Sequence, residues 1–176
     1  MYLLVGLGNP GTKYLLNRHN IGFILIDALK HHFNAPSFKS KLNGAITSLE
    51  IGEHECMLLK PATYMNLSGE CVQQVLRFYK IPLQNMIVFH DDLDLIPFDV
   101  RVKKGGGAGG HNGLKSLDQH LGNDYWRYRF GIGRPPLKEM VSDYVLSNFT
   151  NQEMTDLKKY LDTFCDDFSI NKIISK

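Results

Sequence analysis

Six glycines fall between Gly105 and Gly113 in the run Lys103-Lys104-Gly105-Gly106-Gly107-Ala108-Gly109-Gly110-His111-Asn112-Gly113-Leu114-Lys115. Inside a helix or strand each would cost about 0.5–1 kcal/mol relative to alanine. The run is therefore a loop in which backbone turns with φ > 0 or closely approaches another molecule. Two lysines lead into it. A helical spacing of Leu114, Leu117 and Leu121, stopped by Gly122, leads out. A glycine loop that opens into a helix N-terminus presents free N–H groups and a positive dipole end, both suited to an anion. A merely flexible connection has the same composition. What separates the two readings is the polar pair His111-Asn112 inside the loop.

The chain of 176 residues is long enough for one domain, 1–176, with a single sizeable core. Its formal charge of only +2 means that any nucleic-acid binding rests on a local patch and not on a global field. Cys56, Cys71 and Cys165 are odd in number and widely spaced, with no C-x-x-C pair. They suit a reducing cytoplasm better than a disulfide framework or a structural zinc site. The opening Met1-Tyr2-Leu3-Leu4-Val5 lacks the basic start of a signal peptide, and no apolar run reaches the ~18 residues of a membrane span.

Upstream, residues 2–7 form a continuous apolar run, the pattern of a strand buried on both faces, closed by the turn residues Gly8-Asn9-Pro10-Gly11. Gly6 to Gly11 also has the G-x-G-x-x-G spacing of a dinucleotide loop. That fingerprint needs an immediate helix and, about 20 residues on, an acidic residue after a second strand. Here Thr12 to Asn20 is polar and irregular and the region near Asp27 is helical, so the match is set aside. The helix, about 20–33, carries Ile21, Ile24, Leu25, Ala28 and Leu29 on one face, with Asn20 as N-cap and His19 at its entrance. Residues 44–51 and 55–60 pattern as a hairpin turning near Gly52-Glu53. A helix over Ser68–Tyr79 follows Tyr64-Met65-Asn66, where Asn66 also suits a cap.

Met86-Ile87-Val88-Phe89 is the clearest buried strand and ends in His90-Asp91-Asp92-Leu93-Asp94. Ligand sites in open α/β sheets gather outside the carboxyl ends of strands. Asn9, Asn66 and Asp91 all stand at such ends, and the glycine loop adds Asn112. His90, Asp91, Asp92 and Asp94 include metal-ligating types, but neighbours in an extended segment point to opposite faces and rarely share one ion. Residues 98–104 form a strand entering the loop. Trp126-Arg127-Tyr128-Arg129-Phe130 alternates as a half-buried strand, with aromatics inward and both arginines together on the solvated side. Thr150-Asn151-Gln152-Glu153 is a capping box for a last helix, with Leu157, Tyr160, Leu161 and Phe164 inward and Lys158 and Lys159 outward.

Together these residues resemble the bacterial peptidyl-tRNA hydrolase family. The resemblance rests on Val5-Gly6-Leu7-Gly8-Asn9-Pro10-Gly11, Tyr14 with Arg18-His19-Asn20, Lys60-Pro61 with Tyr64-Met65-Asn66-Leu67-Ser68-Gly69, His90-Asp91-Asp92-Leu93-Asp94, and Gly105–Leu114 with Arg129-Phe130-Gly131-Ile132-Gly133. It implies one α/β domain with a twisted mixed β-sheet flanked by helices. It also implies hydrolysis of the ester between a peptide and the 3′ ribose of tRNA. On that resemblance His19 is the base, Asp91 its orienting partner and Asn9 a further catalytic group. Tyr14, Tyr64, Met65, Asn66 and Asn112 line the cleft with Asn9, while Lys103 and Arg129 meet phosphate of the acceptor stem. The partner is peptidyl-tRNA, met by a cytoplasmic monomer with no cofactor, metal, membrane or obligate protein partner.

The side-chain types fit that chemistry on their own terms. An ester has a good leaving group, so one activated water suffices. A neutral imidazole takes the water's proton, and a carboxylate on its other nitrogen fixes the tautomer. Asparagine amides offer uncharged donors to a peptide and to a developing oxyanion. No serine lies in a G-x-S-x-G elbow and no cysteine lies in these segments, which leaves water as nucleophile. Two other classes stand against this expectation. A non-catalytic RNA or nucleotide-phosphate binding module would use the glycine loop and lysines but would not need His19 with Asp91. A nucleotide-dependent dehydrogenase lacks its acidic residue.

Overall fold

The computed structural model describes residues 1–176. Seven strands, β1 (Tyr2–Gly6), β2 (Lys39–Lys41), β3 (Gly44–Ile51), β4 (His54–Pro61), β5 (Met86–Asp92), β6 (Val100–Lys104) and β7 (Trp126–Gly131), form one mixed sheet in the order β2-β3-β4-β1-β5-β7-β6. The central β4-β1-β5-β7 block is parallel, and antiparallel strands close both edges. Helices α1 (Ile21–His32) and α5 (Asn151–Asp167) pack on one face; α2 (Ser68–Tyr79) and α3 (Asn112–Leu121) lie on the other. The expected α/β domain with a mixed sheet flanked by helices is what the chain forms.

Period-two alternation deals the central strands between two cores. Leu4, Leu58, Ile87 and Phe89 point to the α1/α5 side. Leu3, Val5, Met57, Leu59, Met86 and Val88 point to the α2/α3 side. That is why these strands are nearly continuous apolar runs.

Several boundaries and faces differ from the sequence expectation. β5 runs on to Asp92, because parallel pairing with β7 continues as far as Gly131. The aromatics of β7 do face one core, but the arginine face is covered by α3 and the glycine loop, and Arg127 is 1% exposed. Asn20 stands at the N-cap position of α1 without capping it. Its side chain is drawn off by the backbone of Asn9, accepting from the Asn9 N–H and donating to the Asn9 carbonyl, both at 2.9 Å. Asn66 caps no helix either, since Leu67 holds the N-cap position of α2. The edge strand β2 and the short helices α4 (Val141–Val145) and α6 (Ile170–Ile174) have too few residues to show a period.

The capping box forms as expected: Thr150 Oγ1 accepts from Glu153 N–H, and Glu153 Oε1 accepts from Thr150 N–H. Glu153 Oε1 also receives Arg18 Nη2 at 2.6 Å. Arg18, 7% exposed, further donates to Ser147 Oγ at 2.6 Å and the Asn148 carbonyl at 2.7 Å, with the Tyr144 ring 4.6 Å away. One guanidinium thereby ties the α5 entrance to the turn just before α1.

That turn is set by a backbone contact. A Cβ on Gly22 would stand 2.4 Å from Leu7 N and from Phe89 O, and one on Gly6 would stand 2.3 Å from Gly22 O. The first turn of α1 therefore rests directly on the ends of β1 and β5. Gly22→Ala adds helix propensity of about 1 kcal/mol but forces backbone apart, an overpacking cost of about 1–3 kcal/mol or more. The expected outcome is a net loss of stability, with Tm lowered by several degrees in a thermal melt. An unchanged or raised Tm would show that α1 slides freely.

Candidate active site

The turn Arg18–Asn20 at the foot of α1 is buried throughout, which fixes His19 beside the end of β5. His19 Nδ1 lies 3.0 Å and 2.8 Å from the two carboxylate oxygens of Asp91. Burial works against charge on His19, yet the attraction and hydrogen bond of Asp91 outweigh it and raise its pKa above the usual 6.5. Burial also works against the Asp91 anion, but the positive potential and hydrogen bonds of His19 and His111 hold its carboxyl far below the ordinary range. Asp91 is thus ionised, and the N–H of His19 sits on Nδ1. The Nε2 lone pair is left for chemistry.

His111 is the residue that sequence reasoning missed, although it stood in the noted polar pair. Its Nδ1 accepts from the backbone N–H groups of Gly113 and Leu114 at 3.1 Å and 3.3 Å, capping α3. An accepting Nδ1 carries no proton, so the hydrogen is on Nε2, which donates to Asp91 Oδ1 at 2.8 Å. An imidazole in a place usually held by Ser, Thr, Asp or Asn was the available signal. His90 completes the group. Its Nδ1 donates to the Asp91 carbonyl at 2.8 Å, and burial followed by the neighbouring His111 lowers its pKa, keeping it neutral.

These groups open on a cleft of about 850 Å³. Asn9, His19, Tyr64, Met65, Asn66, Asp91, Lys103, Asn112 and Arg129 all line it. Tyr14 does not; it sits outside the lining with Lys13 Nζ 4.8 Å from its ring. Asn9 Oδ1 accepts from Met65 N–H at 2.8 Å, so its Nδ2 faces away with both hydrogens unengaged. Gly113 admits this packing because a Cβ there would lie 2.6 Å from Met65 Sδ. Part of the lining was not anticipated: Val141, Ser142, Val145 and Leu146 come from α4 and the residue after it, Lys138 comes from just before it, and Leu93 adds a further apolar side chain.

The cluster His90, Asp91, Asp92 and Asp94 does not converge. Asp91 serves the histidines, Asp92 accepts from Arg129 Nε at 2.8 Å, and Asp94 accepts from Arg134 at 2.6 Å and 3.0 Å. His90 Nε2 has no partner. The donors that do converge are His19, Asp91 and His111, within 4.8 Å of one another. Two imidazoles and a carboxylate form a set that zinc accepts, but a cation would have to displace both N–H protons now bonded to Asp91. The cysteines are remote from the cleft. Burial pushes Cys56 and Cys71 up to about 12 and Cys165 up to about 11, so none offers a thiolate near neutral pH.

Residues 3–174 match the family model for peptidyl-tRNA hydrolase. The peptidyl-tRNA hydrolase of Wolbachia sp. subsp. Brugia malayi is 54% identical over 151 residues, 86% of this chain and 83% of that protein. That of Beijerinckia indica is 50% identical over 171 residues, 97% and 84% of the respective chains. The crystal structure of peptidyl-tRNA hydrolase from Acinetobacter baumannii superposes with a TM-score of 0.85 at 39% identity, covering 94% of this chain and 83% of that one. With the fold, the glycine loop and the His19–Asp91 pair all in place, the chain belongs to the peptidyl-tRNA hydrolase family.

Proposed function

We propose that this chain hydrolyses the ester between a peptide and the 3′ ribose of tRNA, with His19 as general base. The observation that carries the reading is the buried hydrogen bond from His19 to Asp91 at the mouth of the cleft. A module that only holds phosphate has no use for an ionised carboxylate that fixes an imidazole's tautomer.

The proton bookkeeping closes without a covalent intermediate. His19 Nε2 takes a proton from water, and the hydroxide oxygen bonds to the ester carbon. Asp91 stabilises the imidazolium, as the orienting acid of a triad does. The amide donors of Asn9 and Asn112 meet the tetrahedral oxyanion. Collapse breaks the bond to the ribose oxygen, and His19 returns its proton to that leaving group. Asn66 and Tyr64 at the rim hold the peptide backbone, and Val141, Val145 and Leu146 receive its side chains. Lys103 and Arg129 meet phosphate of the acceptor stem; Asp92 engages only Nε of Arg129, which leaves its two terminal nitrogens for an anion. The protein works as a cytoplasmic monomer on this one partner. No helix is long and apolar enough to cross a membrane.

The decisive experiment is turnover of an N-acetylaminoacyl-tRNA by His19→Ala. Loss of a general base costs ~10²–10⁴-fold in kcat, while binding of deacylated tRNA persists. A variant that keeps more than half its kcat would refute the assignment.

The base must be neutral to act, and Asp91 raises its pKa. Activity therefore falls as pH drops through a value above 6.5. In Asp91→Asn the stabilisation of the imidazolium is lost, so the acid limb of kcat/KM moves to lower pH while the plateau falls. A limb that stays in place would mean that another group titrates.

The cleft's neutral amides suit an acylated nitrogen and leave a buried ammonium uncompensated. Aminoacyl-tRNA with a free α-amino group is expected to be cleaved with much lower kcat/KM than its N-acetylated form. Equal values for the two substrates would contradict this.

A further inference from the structure

Arg127 is a charged side chain that the reaction does not use, and it is among the most deeply buried groups in the protein, at 1% exposure. Its Nη1 donates to the Gly107 carbonyl at 2.5 Å, and its Nη2 donates to the Gly106 carbonyl at 2.9 Å. Nη2 also reaches Asp118 Oδ1 at 3.2 Å, and Asp118 in turn accepts from the Tyr125 hydroxyl at 2.7 Å. The guanidinium is therefore clamped from below by α3 and grips the glycine loop by two successive carbonyls.

A trans peptide directs its C=O and the following N–H in opposite directions. With the carbonyls of Gly106 and Gly107 turned in to Arg127, the N–H groups of Gly107 and Ala108 are turned out. Neither amide donates to any acceptor in the protein, and both residues line the cleft. Gly106 holds φ +101°, and a Cβ there would stand 2.5 Å from Lys103 Nζ, so the ammonium lies against the residue that leads into the two amides. Consecutive outward amides next to a fixed cation make a concave anion site.

We infer that Arg127 is a positioning residue: by holding the carbonyls of Gly106 and Gly107 it aims the amides of Gly107 and Ala108, beside Lys103, at a phosphate of the tRNA acceptor end. The inference rests on the hydrolase reading above. Arg127 touches neither the ester nor the RNA; it shapes the loop that does. Lysine keeps the charge against Asp118 but lacks the planar fork that holds two carbonyls at once.

The test compares N-acetylaminoacyl-tRNA with the N-acetylaminoacyl ester of adenosine, which carries no phosphate. Arg127→Lys is expected to raise KM for the tRNA substrate about tenfold, the loss of one charge-assisted hydrogen bond, with kcat held within about twofold. The adenosine ester is expected to be indifferent. Gly107→Pro, at an exposed position with open space around it, removes one of the two amides and raises the same KM. Gly107→Ala keeps that amide and so stays several-fold below Gly107→Pro. If Arg127→Lys is not recovered folded, the Gly107 pair carries the test alone. Equal losses on both substrates, or a fall in kcat, would show that Arg127 supports the fold and not phosphate recognition. Unchanged KM values in Arg127→Lys and Gly107→Pro would also overturn the inference. Wild-type protein that cleaved neither ester would instead remove the hydrolase reading, and this one with it.

Discussion

The structure depends on one buried anion. Asp91 sits at 3% exposure, where a lone carboxylate would be neutralised by burial. Two imidazole N–H donors reverse that preference, one from the turn before α1 and one from the N-cap of α3. Each donor is delivered by a separate device. Glycine contacts at Gly6 and Gly22 press α1 onto the strand ends and carry His19 in; the glycine loop delivers His111. The anion in return fixes where the protons sit. His19 must hold its proton on Nδ1 and His111 on Nε2, so the free lone pair of His19 follows from hydrogen bonding alone.

His111 is the less replaceable of the two rings, because its other nitrogen is the cap of α3. Replacing the ring would take the backbone acceptor from Gly113 and Leu114 and one of the two imidazole donors from Asp91.

Much of this was legible before any coordinates. The buried central strands announced themselves as apolar runs, the helix Ser68–Tyr79 by its period, the start of the last helix by its capping box, and the cleft by polar residues recurring at strand ends. What remained hidden depended on groups distant in sequence. Arg127 and Arg129 were rightly placed on one face of β7, but nothing in β7 itself says that α3 and two glycine carbonyls cover that face. Asn20 was a sound N-cap by residue type and lost that role to Asn9. Tyr14 entered only by family likeness and stands apart from the cleft. The pairing of His111 with Asp91 spans 20 residues, and no local pattern reports it.

Arg18 has a consequence for the order in which the molecule comes apart. It belongs to the buried turn that carries His19, yet its hydrogen bonds go to residues 147–153, about 130 positions later in the chain. Fraying of the α5 entrance therefore strips a buried guanidinium of its acceptors and loosens the turn on which the base stands. The two segments form one cooperative opening unit in the sense used for native-state hydrogen exchange. During synthesis the same link means that the His19 turn, made early, acquires its final support only after residue 153 has emerged.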